Sequence, residues 1–153
     1  MSAISKIFSR YILFFLTAMA YFAHAAPDGK PIGYVMTVKG ESFIKVGDKE
    51  IPAAVGTPVV VGSALSTGPN SSLGVTFKDN TIMSFGPNTE LTVDEYLFEP
   101  AAGELKLSAR LEKGTLNFIS GVIAKLKPEA VALQTPTGTI GVRGTHFMVK
   151  VAD

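Results

Sequence analysis

The residue types that most often do chemistry are few in this chain. There is no cysteine, and the two histidines are His24, in an N-terminal leader-like segment, and His146. His and Cys are the usual zinc ligands, so the sequence predicts no zinc site. A Ser-His-Asp triad would need His146 as its base, yet no G-x-S-x-G motif is present. We interpret His146 as a surface or strand-edge histidine, with partner binding as its candidate role.

A group of carboxylates offers the other catalytic chemistry. Glu90, Asp94, Glu95 and Glu99 include enough acids for the carboxylate pair of a glycosidase. In a β-strand, however, Glu90 and Asp94 share one face while Glu95 and Glu99 share the other. This pattern favours a solvated rim over a converging pair. We therefore predict no catalytic residues, no metal and no cofactor, and a polysaccharide-active enzyme stays as the alternative.

A glycine-rich segment surrounds a single arginine. Gly138, Gly141 and Gly144 are spaced by three, and Arg143 lies between the last two. Glycines at this density let a chain turn a sharp corner, so we expect Gly141 and Gly144 to be structural. Arg143 either bridges carbonyls or a carboxylate across the corner, which we favour, or presents its five-donor fork to a partner. No G-x-G-x-x-G or Walker pattern indicates phosphate binding.

The elements that hold these residues are predicted from alternation of apolar and polar side chains. Period-2 patterns put apolar residues on one face of short strands. Gly, Pro and Asn mark the turns between them, as at 68–70, 78–80, 86–88, 99–103 and 127–128. The apolar sets are Leu73, Val75 and Phe77; Leu91 and Val93; Leu105, Leu107, Ala109 and Leu111; Leu116 and Phe118; Val131 and Leu133; and Phe147, Val149 and Val151. The sequence therefore predicts an all-β domain.

Two arrangements of such strands remain open. A turn residue precedes threonine at several places, and the intervals from Gly56 to Asn80 and from Gly114 to Gly138 are equal. This spacing is in the range of a solenoid rung, and hairpin Asn-Gly or Asp-Gly turns are absent. We favour a short-strand, β-solenoid-like roll, with a compact β-sandwich as the alternative. One or two helical turns are predicted within 120–127, before Pro128.

The N-terminus predicts where the chain goes. Lys6 and Arg10 precede an apolar run from Tyr11 to Phe22, and an A-x-A site at 23–25 follows, which is typical of a Sec signal peptide. We expect residues 1–25 to be cleaved and one domain to remain, with N-terminal strands at 26–53 and the main β-domain at 54–153. Without Lys6 and Arg10, acidic residues slightly outnumber basic ones. No basic field for nucleic acid or anionic lipid is predicted.

The segment 134–151 resembles the signature of the FecR domain family, a "TP…(A/G)TxGVRGTxFxV" pattern. A second stretch, 61–81, resembles the family's run around a "DGt" turn. The resemblance implies a periplasmic β-domain, and the best-understood members relay signals from outer-membrane transporters to a cytoplasmic sigma factor. The residues in register with the pattern are Thr135, Pro136, Thr139, Gly141, Val142, Arg143, Gly144, Thr145, Phe147 and Val149.

These features together favour one function and leave others open. We expect no N-terminal anti-sigma helices and no membrane span after cleavage, so the chain would not relay a signal across the membrane alone. We predict a soluble, non-enzymatic periplasmic module of the cell envelope that binds an envelope protein, or else a glycan. Arg143 and His146 are its candidate binding residues. A structural module of the envelope or matrix is a further alternative, and the partner is not specified by the sequence.

Overall fold

The structure, a computed structural model, describes residues 28–152, and the predicted signal peptide lies outside them. A helix, α1 (Val122–Leu126), lies between the ninth and tenth of twelve strands. Short 3₁₀ turns at Pro100–Ala102 and Pro128–Ala130 complete the regular structure of residues 28–152. The strands are β1 (Gly33–Lys39), β2 (Ser42–Val46), β3 (Lys49–Pro52), β4 (Pro58–Val59), β5 (Ala64–Thr67), β6 (Ser72–Phe77), β7 (Ile82–Phe85), β8 (Glu90–Glu99), β9 (Glu104–Ile119), β10 (Val131–Thr135), β11 (Gly138–Gly141) and β12 (His146–Val151).

The strands form a single curled sheet, which confirms the all-β prediction. Its main path runs β3-β2-β5-β8-β9-β7-β6-β1-β4. The long strand β9 joins the two halves: its first part pairs with β8 and β10, and its last part pairs with β7 and β12. Every pairing is antiparallel except that of β9 with β10. The strands along the main path of the curled sheet are therefore antiparallel to their neighbours.

The suggested 24-residue repeat has no counterpart in this arrangement. A solenoid stacks equivalent strands in parallel, whereas Gly56 and Asn80 lie in connections and Gly114 lies inside β9. The equal intervals therefore join places that are not equivalent. Gly114 adopts a φ of 89°, and a Cβ there would overlap Thr89. Close packing between two segments, and not a turn between rungs, requires this glycine.

One hydrophobic core fills the inside of the curl. Alternate side chains of each strand point inward because successive residues face opposite sides of a sheet. The predicted apolar faces of β6, β8, β9 and β10 are buried as expected. The largest fully buried side chains are Phe77, Phe118, Ile44, Leu65, Leu73, Met83, Leu91, Leu107, Leu111, Leu116, Ile123 and Leu133.

The turns and the helix follow the sequence signals. Asn70, Asn80 and Asn88 have positive φ values of 53°, 65° and 51°, a conformation that Asn tolerates better than most residues. The predicted helix is α1, and it ends before Pro128, as expected. The N-cap residue of α1 is Gly121, which has no side chain that could bond to the first N–H groups of the helix. No helix among residues 28–152 is long and apolar enough to cross a membrane.

Candidate functional site

A buried carboxylate organises the part of the fold that holds the glycine-rich segment. Asp79, in the turn between β6 and β7, is completely buried. One of its oxygens accepts hydrogen bonds from the Tyr96 hydroxyl (3.0 Å) and the Thr81 N–H (3.3 Å). The other accepts from the Thr81 hydroxyl (2.7 Å) and the Ile123 N–H (3.2 Å). No Lys or Arg within residues 28–152 forms an ion pair with Asp79, so hydrogen bonds alone satisfy its carboxylate.

Tyr96, on β8, holds Asp79 in position through two hydrogen bonds. Its hydroxyl also accepts a hydrogen bond from the Asp79 N–H at 2.9 Å, and its ring stacks on Phe77 with centroids 5.6 Å apart. Burial, followed by the negative charge of Asp79, raises the pKa of the Tyr96 phenol well above its ordinary value. The phenol therefore stays protonated as a donor through the neutral range.

Asp79 also caps α1 from a distant part of the chain. Its carbonyl accepts the N–H of Val122 at 2.7 Å, and its carboxylate accepts the next N–H, that of Ile123. These are two of the N–H groups that a helix cannot satisfy internally. Gly121 lies so close to the turn that a Cβ would overlap the Asp79 carbonyl and the Thr81 nitrogen. The start of α1 is therefore docked onto the Asp79 turn.

The residue before this docking point holds the glycine-rich segment. Ser120 donates its N–H to the Thr145 carbonyl (2.9 Å) and its hydroxyl to the Gly144 carbonyl (2.7 Å). Val142 is buried in the core at 2% exposure. We call residues 141–145 the display loop, because Val142 and Ser120 fix both sides of Arg143. The two stretches of the sequence that carry the family resemblance are thus linked through neighbouring residues, since Gly121 bonds to Thr81 and Ser120 bonds to Gly144 and Thr145.

The glycines of the display loop differ in what they contribute. Gly144 has a φ of 114°, a conformation that favours glycine, which agrees with the structural role expected for this residue. Gly141 has no such φ, and a Cβ there would meet no atom within 4 Å. Only the bend at Gly144 therefore depends on the absence of a side chain. Earlier in the motif, Thr135 closes the two-residue β10–β11 hairpin, which contains Pro136, by donating its hydroxyl to the Gly138 carbonyl at 2.8 Å.

Arg143 lines an open cleft of about 610 Å³ beside the display loop. Its side chain is exposed, and no hydrogen bond or ion pair to its guanidinium forms within residues 28–152. The favoured prediction of an internal bridge is therefore wrong. At this corner the Gly144 and Thr145 carbonyls bond instead to Ser120. The cleft is lined by Pro128, Glu129, Val131, Ala132, Thr139, Gly141, Val142, Arg143 and Gly144.

His146 does not share this cleft. It lies at the start of β12 with its side chain exposed and hydrogen-bonded to the side chain of Asn117 on β9. This position agrees with a strand-edge histidine. Phe147, the next residue, points the other way and stacks on Phe118 with centroids 4.9 Å apart. The two candidate binding residues, Arg143 and His146, are thus not brought together.

Two of the four acidic residues on β8 form ion pairs on the outside of the sheet. Asp94 pairs with Arg110 at 2.6 Å, and Glu95 pairs with Lys106. A bulge after Val93 leaves Asp94 without a partner residue on β9, so the strict alternation assumed from the sequence does not hold here. The structure contains no group of three or more potential metal ligands among residues 28–152.

The fold and the site define a β-domain that displays a short loop from a rigid buried network. A family model described as FecR protein matches residues 63–153, and the chain belongs to the FecR family. This match includes Asp79, Ser120 and the display loop. No curated protein and no solved structure matches the chain. The FecR family is not known as enzymatic.

Sequence reasoning missed the residues that position the loop. Asp79, Tyr96, Ser120 and Gly121 carry the network, yet none was a candidate. The sequence predicts a turn at 78–80, and its aspartate is the available signal, since Asp in a turn often bonds to nearby N–H groups. The bonds from Asp79 to a helix more than forty residues away could not be derived from that pattern.

Proposed function

We propose that this chain is a non-enzymatic binding and regulatory module of the periplasm, acting in a signalling or transport-regulation system of the cell envelope. Membership in the FecR family supports this proposal, because that family is linked to the regulation of envelope signalling. The single observation that carries it is the presentation of Arg143. Its guanidinium is exposed, has no hydrogen-bond or ion-pair partner within residues 28–152 and lies on a loop held by a buried network, which is typical of a recognition residue.

The lining of the cleft beside Arg143 supports a proposal for the partner's chemistry. Pro128 and Ala132 offer accessible apolar side chains, and Arg143 offers a planar fork of donors that matches a carboxylate. Glu129, also in the lining, adds a carboxylate acceptor. A protein segment with an acidic side chain beside an apolar one fits this combination. The partner that we propose is therefore an envelope protein.

Substitution of Arg143 tests the proposal. Arg143→Ala and Arg143→Lys are compared with Arg110→Ala, which removes another exposed arginine, one paired with Asp94 on the outside of the sheet. We expect the melting temperature of both Arg143 variants to match that of the unmodified protein. We also expect them to lose the partner that the unmodified protein and Arg110→Ala retain in pull-downs from periplasmic extract, with the partner identified by mass spectrometry. Equal retention by all four proteins contradicts the proposed role.

Localisation is part of the same proposal. The leader-like segment supports export and cleavage after Ala25. Intact-mass analysis of the protein from the periplasmic fraction tests this directly. A mass that retains residues 1–25, found in the membrane fraction, contradicts a soluble periplasmic module.

A further inference from the structure

Four strands of the sheet pair along one edge only within residues 28–152: β3, β4, β11 and β12. Exposed edges invite pairing with other chains, so folded proteins shorten them or interrupt them with proline or charge. Strand β3 contains Lys49 and Pro52, and β4 has two residues, including Pro58. Strand β11 has four residues and is bounded by Gly138 and Gly141. Strand β12, with six residues, is the longest of the four; it has no proline or bulge, and its one lysine, Lys150, is exposed on the side away from the core.

The inward side of β12 is incompletely covered. Phe147, Val149 and Val151 point toward the core, yet all three are only half-buried. On the neighbouring strand β9, the residues opposite them, Leu116 and Phe118, are 0% and 1% exposed. One further strand beside β12 would cover the half-buried row. This row contains no charged residue, so an added strand would bury only apolar side chains there, which is favourable.

The backbone of β12 points a regular set of groups at this free edge. The Thr145 carbonyl accepts the Ser120 N–H, so residue 145 faces β9. In an antiparallel strand, alternate residues direct their N–H and C=O groups to opposite edges. Residues 147, 149 and 151 therefore bond to β9, whereas His146, Met148 and Lys150 direct their backbone groups outward.

We propose that β12 pairs with β12 of a second copy of this chain, antiparallel and centred on Val149. In this register Val149 lies opposite Val149 of the second copy, and Phe147 lies opposite Val151. The half-buried rows of both copies then form one continuous apolar row. The backbone groups that point to the free edge then bond between Met148 of one copy and Lys150 of the other. Val149 is consequently a non-hydrogen-bonded pair, the type in which side chains approach most closely.

The charges on β12 select this register and favour a second copy. On the outer face, Lys150 lies opposite Met148, so no two cationic side chains face each other. Pairing centred on Met148 would instead place His146 opposite Lys150 and Val151 opposite Thr145, which juxtaposes polar or basic groups and breaks the apolar row. Pairing centred on Lys150 would place the two Lys150 side chains directly opposite each other, and like charges in that position destabilise a strand pair. The strand is thus complementary to itself in one register.

A cysteine scan tests the register, because the chain has no cysteine of its own. In a non-hydrogen-bonded pair the Cα atoms are about 4.5 Å apart, which permits a disulfide. We expect Val149→Cys to form a covalent dimer under mild oxidation, and Met148→Cys to remain monomeric although Met148 is more exposed, at 69%. Equal or greater cross-linking of Met148→Cys overturns the proposal, since it indicates chance collisions.

Light scattering of the purified protein tests the dimer without cross-linking. We expect a mass that rises from that of the monomer to twice that value with concentration. Met148→Pro removes an N–H that points to the free edge and bonds to nothing within residues 28–152, so it should abolish dimer formation while the fold survives. Met148→Ala is the matched control and should still dimerise. A monomer mass at every concentration, as expected if the edge receives another protein, overturns the proposal, and dimerisation of Met148→Pro does so as well.

Discussion

Replacing Asp79 with alanine removes the acceptor around which the display loop is organised. Four donors lose their partner at once: the hydroxyls of Tyr96 and Thr81, and the backbone N–H groups of Thr81 and Ile123. All of them lie in a buried region, where an unsatisfied donor costs about 1 to 3 kcal/mol. At the low end of that range, the free energy of unfolding falls by about 4 kcal/mol. This is a large part of the roughly 5 to 15 kcal/mol that stabilises a typical domain.

The matched control is Asp94→Ala, which removes a carboxylate with a close ion pair to Arg110. Because this pair lies on the outside of the sheet, its loss should cost only about 0 to 1 kcal/mol. Urea unfolding, followed by far-UV circular dichroism because the chain has no tryptophan, gives both values. A loss below about 1 kcal/mol for Asp79→Ala, or one no larger than that of the control, would refute the reasoning.

Two further predictions concern a glycine pair and the buried phenol. Gly144→Ala should lower the free energy of unfolding by about 1 kcal/mol or more, because of the positive φ at Gly144, whereas Gly141→Ala should change it by less than about 0.5 kcal/mol; equal thermal melts would contradict this. The raised pKa of Tyr96 stabilises the folded protein fully below the unfolded pKa of about 10. This contribution declines as the pH rises above about 10, by up to about 1.4 kcal/mol per pH unit. Tyr96→Phe should lack that part of the decline in urea unfolding at alkaline pH, and identical slopes for the two proteins would refute the assignment.

Local features of the fold could be predicted from the sequence because they depend on neighbouring residues. Alternation predicted the inward faces of β6 and β9, and Asn80 marked a turn that requires positive φ. The role of Gly114 could not be predicted, since a glycine that permits close packing against Thr89 has the same sequence signal as one that permits a turn. The pairing of strands depends on distant segments, so the antiparallel curl could not be derived.

The candidate site could be predicted only in part, for the same reason. The motif identified the display loop, and Gly144 has the backbone conformation expected of it. The internal bridge expected of Arg143 rested on its place between two glycines at a corner, but its guanidinium has no hydrogen-bond or ion-pair partner within residues 28–152. Neither the bond from Ser120 nor the burial of Asp79 leaves a trace in local spacing. Long-range hydrogen bonds are therefore the part that required the structure.

Strand β9 imposes an order on folding as well as on the fold. Its sixteen residues pair with two strands that precede it in the chain, β7 and β8, and with two that follow it, β10 and β12. A ribosome or translocon that releases the chain from its N-terminus delivers β1 to β8 before the strand that joins them. Until residue 119 emerges, the edges of β7 and β8 stay open to chaperones. Because β9 links both halves of the sheet, its arrival lets them close together, and amides throughout the sheet should exchange with solvent as one cooperative unit.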